Sequence, residues 1–374
     1  MAKDEARLRE IAATHLGRAV ERIEPMAAGL GLRRFHRLHF RDGAPATLVA
    51  RIEDDGAVPS PATDWPAAPP WREEPPLEPI RSFLADAGLP VPDSALHLPA
   101  EGVDLLEDVG SLRLLDVSAE ERAEHTREAC ALLPRLQSLE GDPDRIPAFG
   151  RSYDATLVAT KAWKWLHWTI PMLLDRAPSA EEIADTTALF DAIAARAAAA
   201  PRRLAHRDFK AENLHLAPTP DGGVRLVMID VQGAFLAPPE YDLACLLHDL
   251  QVEHAEAFVD ELLERVRPTL PDAPAPETFR ERFDALALAR LCKDVSHVVH
   301  AGVARGDRRR WHEISRGLQL IERIAGRQAH TFPGLRSLTS VTSALTGAVE
   351  SADSGGLEEP GPRRGARADR PGRS

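Results

Sequence analysis

The sequence predicts an α+β fold of two lobes, a small antiparallel β lobe followed by a larger, mostly helical one. Three observations carry that expectation. Leu38 and Phe40 alternate with Arg37, His39 and Arg41 before an Asp42-Gly43 turn, and 47–52 returns as an apolar run, which is a hairpin pattern. From Ser118 onward apolar residues recur at three and four positions, the period of helices packed on one face. Between them and within them, turn residues fall where elements must stop. On this reading residues 1–108 form the first lobe, 109–330 the helical lobe, and 345–374 a disordered tail.

Residues 4–17 read as a short amphipathic helix with Leu8, Ile11, Ala12 and Leu16 on one side. The turn Ala28-Gly29-Leu30-Gly31 precedes the first hairpin strand. After the strand 48–52, residues 54–76 are crowded with proline and alanine and hold Trp65 and Trp71, so regular structure is not expected there. They form either a flap or a surface excursion. A helix over 78–87 is stopped by Gly88, and Leu89-Pro90-Val91-Pro92 prevents its continuation. Residues 103–110 then read as an apolar strand entering an acidic turn.

In the second lobe, Ser118 with Glu121 and Ser179 with Glu182 each form a capping box that opens a helix. Leu132, Leu133, Leu136 and Leu139 extend the first apolar face, with a kink expected at Pro134. Ile183, Phe190 and Ile193 form the second, which Pro201 ends. Between these helices stands Lys161-Ala162-Trp163-Lys164-Trp165-Leu166-His167-Trp168. Three tryptophans so close suit either core packing or stacking on a sugar ring, and Trp163 and Trp168 are the candidates for the latter. Helices are expected at about 241–250, 254–267, 277–303 and 309–327. His297 and His300 lie three apart on one of them, without the Cys or carboxylate companions of a metal site.

Composition narrows the function classes. The chain has 374 residues, 44% of them apolar, enough for about two domains with a sizeable core. Lys and Arg number 46 against 58 acidic residues, a net charge of −12, which argues against nucleic acid and anionic membrane surfaces as partners. Such a balance is compatible with a cationic small substrate, although net charge locates no pocket. Three widely spaced cysteines, Cys130, Cys245 and Cys292, read as buried free thiols, and the N-terminal residues carry no apolar signal core. A soluble, cytoplasmic protein acting on a small molecule is expected.

The chemistry concentrates at 204–242. There Leu204-Ala205-His206-Arg207-Asp208-Phe209-Lys210-Ala211-Glu212-Asn213 is followed by a Pro220-Asp221-Gly222-Gly223 turn, a buried strand ending Ile229-Asp230-Val231-Gln232-Gly233, and Pro239-Glu240-Tyr241-Asp242. His-Arg-Asp with Asn five residues beyond the Asp fits a kinase catalytic loop, and an Asp closing a buried strand before a Gly fits the kinase metal-binding Asp. Phosphoryl transfer needs an oriented hydroxyl and a neutralised triphosphate more than covalent help. Asp208 would take the hydroxyl proton, and Asn213 and Asp230 would supply hard oxygen ligands suited to Mg²⁺. Lys210 would point a cation at the γ-phosphate of ATP.

These segments resemble the aminoglycoside-phosphotransferase-type small-molecule kinases, a branch of the protein-kinase-like fold. Within that branch they are most similar to the anomeric kinases of N-acetylmuramate and N-acetylglucosamine in bacterial cell-wall recycling. His206-Arg207-Asp208-Phe209, the run from Ile229 to Ala234 and Tyr241-Asp242-Leu243-Ala244 carry the likeness, which extends over about 20–330. The resemblance implies several roles. Gly29 and Gly31 become the phosphate-covering loop, an imperfect copy with two glycines and no third. Arg51 stands where a phosphate-binding Lys is usual, with Glu73, Glu74 and Glu78 available as its helix partner and Glu78 at the best offset. The backbone around Glu107 to Val109 becomes the adenine-holding hinge, and Asp242 a brace for the catalytic loop. Aminoglycoside, choline-like or homoserine-like acceptors, and a nucleotide-binding pseudokinase scaffold, remain as alternatives. A protein substrate fits less well, because Asp230 and Tyr241 are eleven residues apart.

Overall fold

The computed structural model describes residues 2–26, 33–53 and 74–354. Helix α1 (Ala2–Leu16) is followed by strands β1 (Val20–Pro25), β2 (Arg34–Phe40) and β3 (Thr47–Ile52), helix α2 (Leu77–Asp86), and strands β4 (Ser94–Leu98) and β5 (Val103–Glu107). The strands make one sheet in the order β1-β2-β3-β5-β4, every neighbouring pair antiparallel. The two-residue period of a strand divides its side chains between faces. Leu38, Phe40, Leu48, Ala50, Ile52, Val103 and Leu105 pack on Leu8, Ile11 and Ala12 of α1. In the same register Arg51 stands directly opposite Asp104, and Arg37 opposite Val49, on the other face. Leu106 on that face joins Leu77, Ile80 and Leu84 of α2 in the larger core shared with the helical lobe.

The second lobe begins with α3 (Ala119–Gln137) and α4 (Ala155–Lys164), then a π turn (Trp165–Thr169), α5 (Ile170–Leu174) and α6 (Ala180–Ala199). Both capping boxes form: the Ser118 and Ser179 hydroxyls accept from the N–H groups of Glu121 and Glu182, whose carboxylates reach back. Pro134 lies in the last turn of α3, which continues to Gln137. The π turn has a local cause. Pro171 has no N–H and its ring would crowd the carbonyl four residues earlier in a regular helix, so a wider turn there removes the conflict.

Two short antiparallel pairs carry the central segment. Strand β6 (Arg203–Ala205) pairs with β9 (Phe235–Ala237), and β7 (Leu214–Pro218) with β8 (Val224–Met228). Helices α7 (Tyr241–Leu247), α8 (Glu256–Val266), α9 (Pro276–Ala304), α10 (Glu313–Arg327) and α11 (Leu335–Ser354) complete the lobe. Cys130, Cys245 and Cys292 are buried and free. Among the described residues no helix is long and apolar enough to cross a membrane.

One expectation meets a different outcome. The tail was expected to lose structure from residue 345, yet α11 runs to Ser354. The reason is a stripe that composition alone conceals: Leu338, Val341, Leu345 and Val349 recur at helical spacing and are buried. Residues 355–374, with the basic end Arg363 to Arg373, lie outside the described residues, as do Gly29, Gly31, Trp65, Trp71 and the insert 54–73. The insert's last residues re-enter at Glu74, ahead of α2.

Docking of α11 is directly testable. Leu345→Ala removes a fully buried side chain and should lower the unfolding free energy by about 2–5 kcal/mol, read from urea denaturation. A loss near zero would mean that the helix lies free of the core.

Candidate functional site

The loop between β6 and β7 is held from below by carboxylates. Asp242, at the start of α7, accepts hydrogen bonds from the His206 N–H (2.7 Å) and the Arg207 N–H (3.1 Å). Asp249 accepts from the Ala211 N–H at 3.0 Å. Arg290 of α9 donates to the Arg207 carbonyl at 3.2 Å. These contacts hold Arg207 at φ 81°, a left-handed conformation that a residue with a Cβ adopts only when its surroundings impose it. The expected bracing role of Asp242 is thus visible in its hydrogen bonds. His206 lies buried beneath the loop. Burial drops its pKa to about 4, so its ring is neutral, and it tilts on Phe209 with centroids 5.7 Å apart.

Asp208 and Asp230 end up in opposite electrostatic settings. Burial raises the Asp208 pKa, but Arg207, Lys293, Arg290 and Lys210 outweigh it and hold the carboxyl well below the usual carboxylate range. Arg207 and Arg290 each approach it to 3.6 Å. Asp230 sits at φ 63° where β8 ends. Burial and the like charge of Asp208 push its pKa up, Glu74 adds to this, and the Gln232 amide hydrogen bond opposes it. A carboxylate surrounded by carboxylates calls for a cation.

Asn213 completes the set. Its Nδ2 donates to the Asp208 carbonyl at 2.9 Å, which fixes the amide with its oxygen free to act as a ligand. Asp230 and Asn213 therefore offer hard oxygens in a locally negative field, which fits Mg²⁺. Among the described residues no group of three or more His, Cys, Asp or Glu is arranged around a common metal position. Mg²⁺ does not need one, since it keeps waters and substrate oxygens as its remaining ligands. Lys210, expected to face a phosphate, makes an ion pair with Glu212 and lies among the charges that act on Asp208.

The expected Arg51–Glu78 pair does not form. Arg51 is buried and binds Asp104 at 2.7 Å and Glu53 at 2.6 Å. Its guanidinium is taken by its directly opposed neighbour on β5. Glu78 instead binds Arg81 one turn along α2, at 2.7 and 2.6 Å. The acid that does reach the catalytic loop is Glu74, bound at 2.9 Å by both Arg33 and Arg207 and approached by Gln232. At the end of β5, the Glu107 N–H donates to Asp93 and its carboxylate pairs with Arg225. Val109 joins Ala217 and Val227, with Ile229 against them, in a small apolar cluster between this turn and the β7–β8 hairpin.

On the other side of Asp208 the structure gathers residues that sequence reasoning did not group. Lys161 is buried with its Nζ 4.8 Å from the Tyr153 ring centroid and 5.4 Å from that of Tyr241. Arg290, Lys293, Asp294 and His297 project from α9. Trp163 and Trp168 are half-buried and contact each other at 5.8 Å. The signal was present: Arg290, Lys293, Asp294 and His297 interrupt the largely apolar run of α9 from Ala285 to Ala304 at helical spacing, as a polar stripe must.

Lys161 yields a pH prediction. Burial lowers its pKa from 10.5 to about 7. Between these values the unfolded chain binds the proton and the folded chain does not, so the group costs stability increasingly as pH falls toward 7. Lys161→Met removes that cost. Its stability advantage over the parent, from urea midpoints, should be largest near neutral pH and shrink toward pH 10; a pH-independent difference would contradict a neutral buried amine.

Known proteins share this architecture. A family model described as "Phosphotransferase enzyme family" matches residues 22–281. Over 200 residues the chain is 32% identical to the N-acetylmuramate/N-acetylglucosamine kinase of Caulobacter vibrioides, covering 50% of this chain and 54%, about half, of that protein. The protein of the same name from Neisseria meningitidis is 24% identical over 82% of this chain and 86% of its own length. Among solved structures, a choline kinase from Streptococcus pneumoniae aligns with a TM-score of 0.54 at 15% identity, over 85% of this chain and 99% of the other. The GDP complex of an aminoglycoside 2'-phosphotransferase gives 0.54 at 12%, over 88% and 99%. At such identities the two structures speak for the fold alone.

Proposed function

The chain belongs to the phosphotransferase enzyme family, and on that premise we propose that it transfers the γ-phosphate of ATP to the anomeric hydroxyl of an amino sugar such as N-acetylmuramate or N-acetylglucosamine. The observation that carries the transfer chemistry is the contrast between Asp208, kept ionised by surrounding cations, and Asp230, pressed by like charges beside the Asn213 amide. The acceptor follows the names of the curated relatives. Three buried free cysteines suit a reducing compartment, and a cytoplasmic location accords with them.

In this reading Asp208 accepts the proton of the acceptor hydroxyl as its oxygen bonds to the γ-phosphorus. The bond from that phosphorus to the bridging oxygen breaks, and ADP leaves. Arg290 and Arg207 keep the Asp208 carboxylate charged and aimed. Asp230 and Asn213 would hold Mg²⁺, which when bound neutralises phosphate charge. The adenine would lie against Val109 and Ile229, with backbone groups near Glu107 and Val109 at its edge. Arg51 faces the same side of the sheet, and Lys210 would serve the phosphates once released from Glu212. Aminoglycosides and choline are cations and fit poorly beside Arg290, Lys293 and Lys164.

Two measurements test this. ADP release should appear with N-acetylmuramate or N-acetylglucosamine and vanish with the borohydride-reduced sugar, which lacks an anomeric centre. Asp208→Asn should lower kcat by about 10²–10⁴ with little change in the KM for ATP. ADP release that persists unchanged in that variant would leave no base role for Asp208. Asp230→Asn should weaken Mg²⁺-dependent ATP binding far more than binding of adenosine, by calorimetry. Equal losses for the two ligands would contradict a metal role, and a pure nucleotide-binding scaffold would bind ATP yet turn over no sugar.

A further inference from the structure

A half-exposed polar stripe climbs from Asp208 along α9, through Lys293 and Asp294 to His297 and His300, and is faced by Lys164 and Trp168 at the end of α4 and in the π turn. Its charges do not balance. Arg290 is shared by Asp208 and by Asp294, the latter at 3.2 Å, and Lys293 binds Asp294 at 2.8 Å. Three cations, Arg290, Lys293 and Lys164, thus stand against two carboxylates. The surplus falls on Lys164, whose polar partner among the described residues is the His297 ring, 2.9 Å from its Nζ.

That partner is itself informative. Burial, then the charges of Lys164 and Lys293, hold the His297 pKa well below its ordinary value. A neutral imidazole can accept one Nζ–H bond and so orient the ammonium, leaving two donors for something else. Beside it, Trp168 stacks on His300 with ring centroids 4.2 Å apart and 27° between the planes. A fixed aromatic face next to a half-buried ammonium that, among the described residues, makes no ion pair with a carboxylate matches a ring that carries an acidic arm.

We propose that Lys164, oriented by His297, binds a carboxylate substituent on the acceptor sugar, with Trp168 and His300 forming the wall against its ring. The site therefore favours an acceptor bearing an acidic substituent over its neutral parent. This inference rests on the amino-sugar reading above and adds to it the residue that discriminates between sugars. Loss of a charge-assisted hydrogen bond of this kind corresponds to about a ten- to hundredfold weaker interaction.

The test compares N-acetylmuramate, which carries a carboxylate, with neutral N-acetylglucosamine. In Lys164→Gln the KM for N-acetylmuramate should rise about ten- to hundredfold with kcat held, while the KM for N-acetylglucosamine moves by less than about threefold. Lys164→Arg should restore most of the difference. A second measurement needs no variant: raising NaCl should increase the KM of the unaltered protein for the acidic sugar and leave that for the neutral one in place. Parallel responses of the two sugars, to the substitution or to salt, overturn this inference alone. Turnover of neither sugar overturns the amino-sugar reading and takes this one with it.

Discussion

The hydrogen bonds from the His206 and Arg207 N–H groups to the buried Asp242 carboxylate decide where everything else can stand. Burial drives the pKa of Asp242 up to about 7, so a carboxyl in that position is costly. Two backbone donors aimed at it offset part of that cost and, in exchange, fix the strained turn that presents Asp208. Arg290 reinforces the same turn from α9 by donating to the Arg207 carbonyl while also facing Asp208. One guanidinium thus shapes the loop and sets the charge of the residue the loop carries. Without it, Arg207, Lys293 and Lys210 would remain to oppose the burial of Asp208, but the group that couples that charge to the shape of the loop would be gone.

The same loop ties the lobes together. Arg207 reaches Glu74, which Arg33 also binds, so an ion-pair chain runs from the start of β2 to the catalytic loop. Burial works against the charge on Glu74, yet its two arginines hold it ionised. Arg51, by contrast, is committed to Asp104 within the sheet. The small lobe therefore touches the catalytic loop through the end of the insert rather than through the third strand.

How much of this was legible in the sequence depends on the range of the interaction. Local signals transferred well: the capping boxes at Ser118 and Ser179 and the alternation in the hairpin. The motif residues converge because a short hairpin joins them, and hairpin geometry is local. Long-range pairings did not transfer. Glu78 and Glu74 are four residues apart and chemically identical, and which one reaches the catalytic loop depends on where α2 begins. The polar stripe on α9 was missed because Arg290, Lys293 and His297 read individually as ordinary helix charges; their meaning comes from Asp208 and Lys164, brought close by packing. The tail boundary failed for a different reason: glycine, proline and arginine beyond 355 obscured the apolar stripe just before them.

The widened turn at Trp165–Thr169 has a spectroscopic consequence. It holds two of the six tryptophans of the chain, with Trp163 just ahead of it in α4, beside the stripe that ends at His300, with the Trp168 indole stacked on an imidazole and near the Lys164 ammonium. Protonated and heteroaromatic neighbours are effective quenchers of indole emission. A molecule that enters that neighbourhood and separates the Trp168 indole from these quenchers would announce itself optically, as a change in intrinsic emission, without any label.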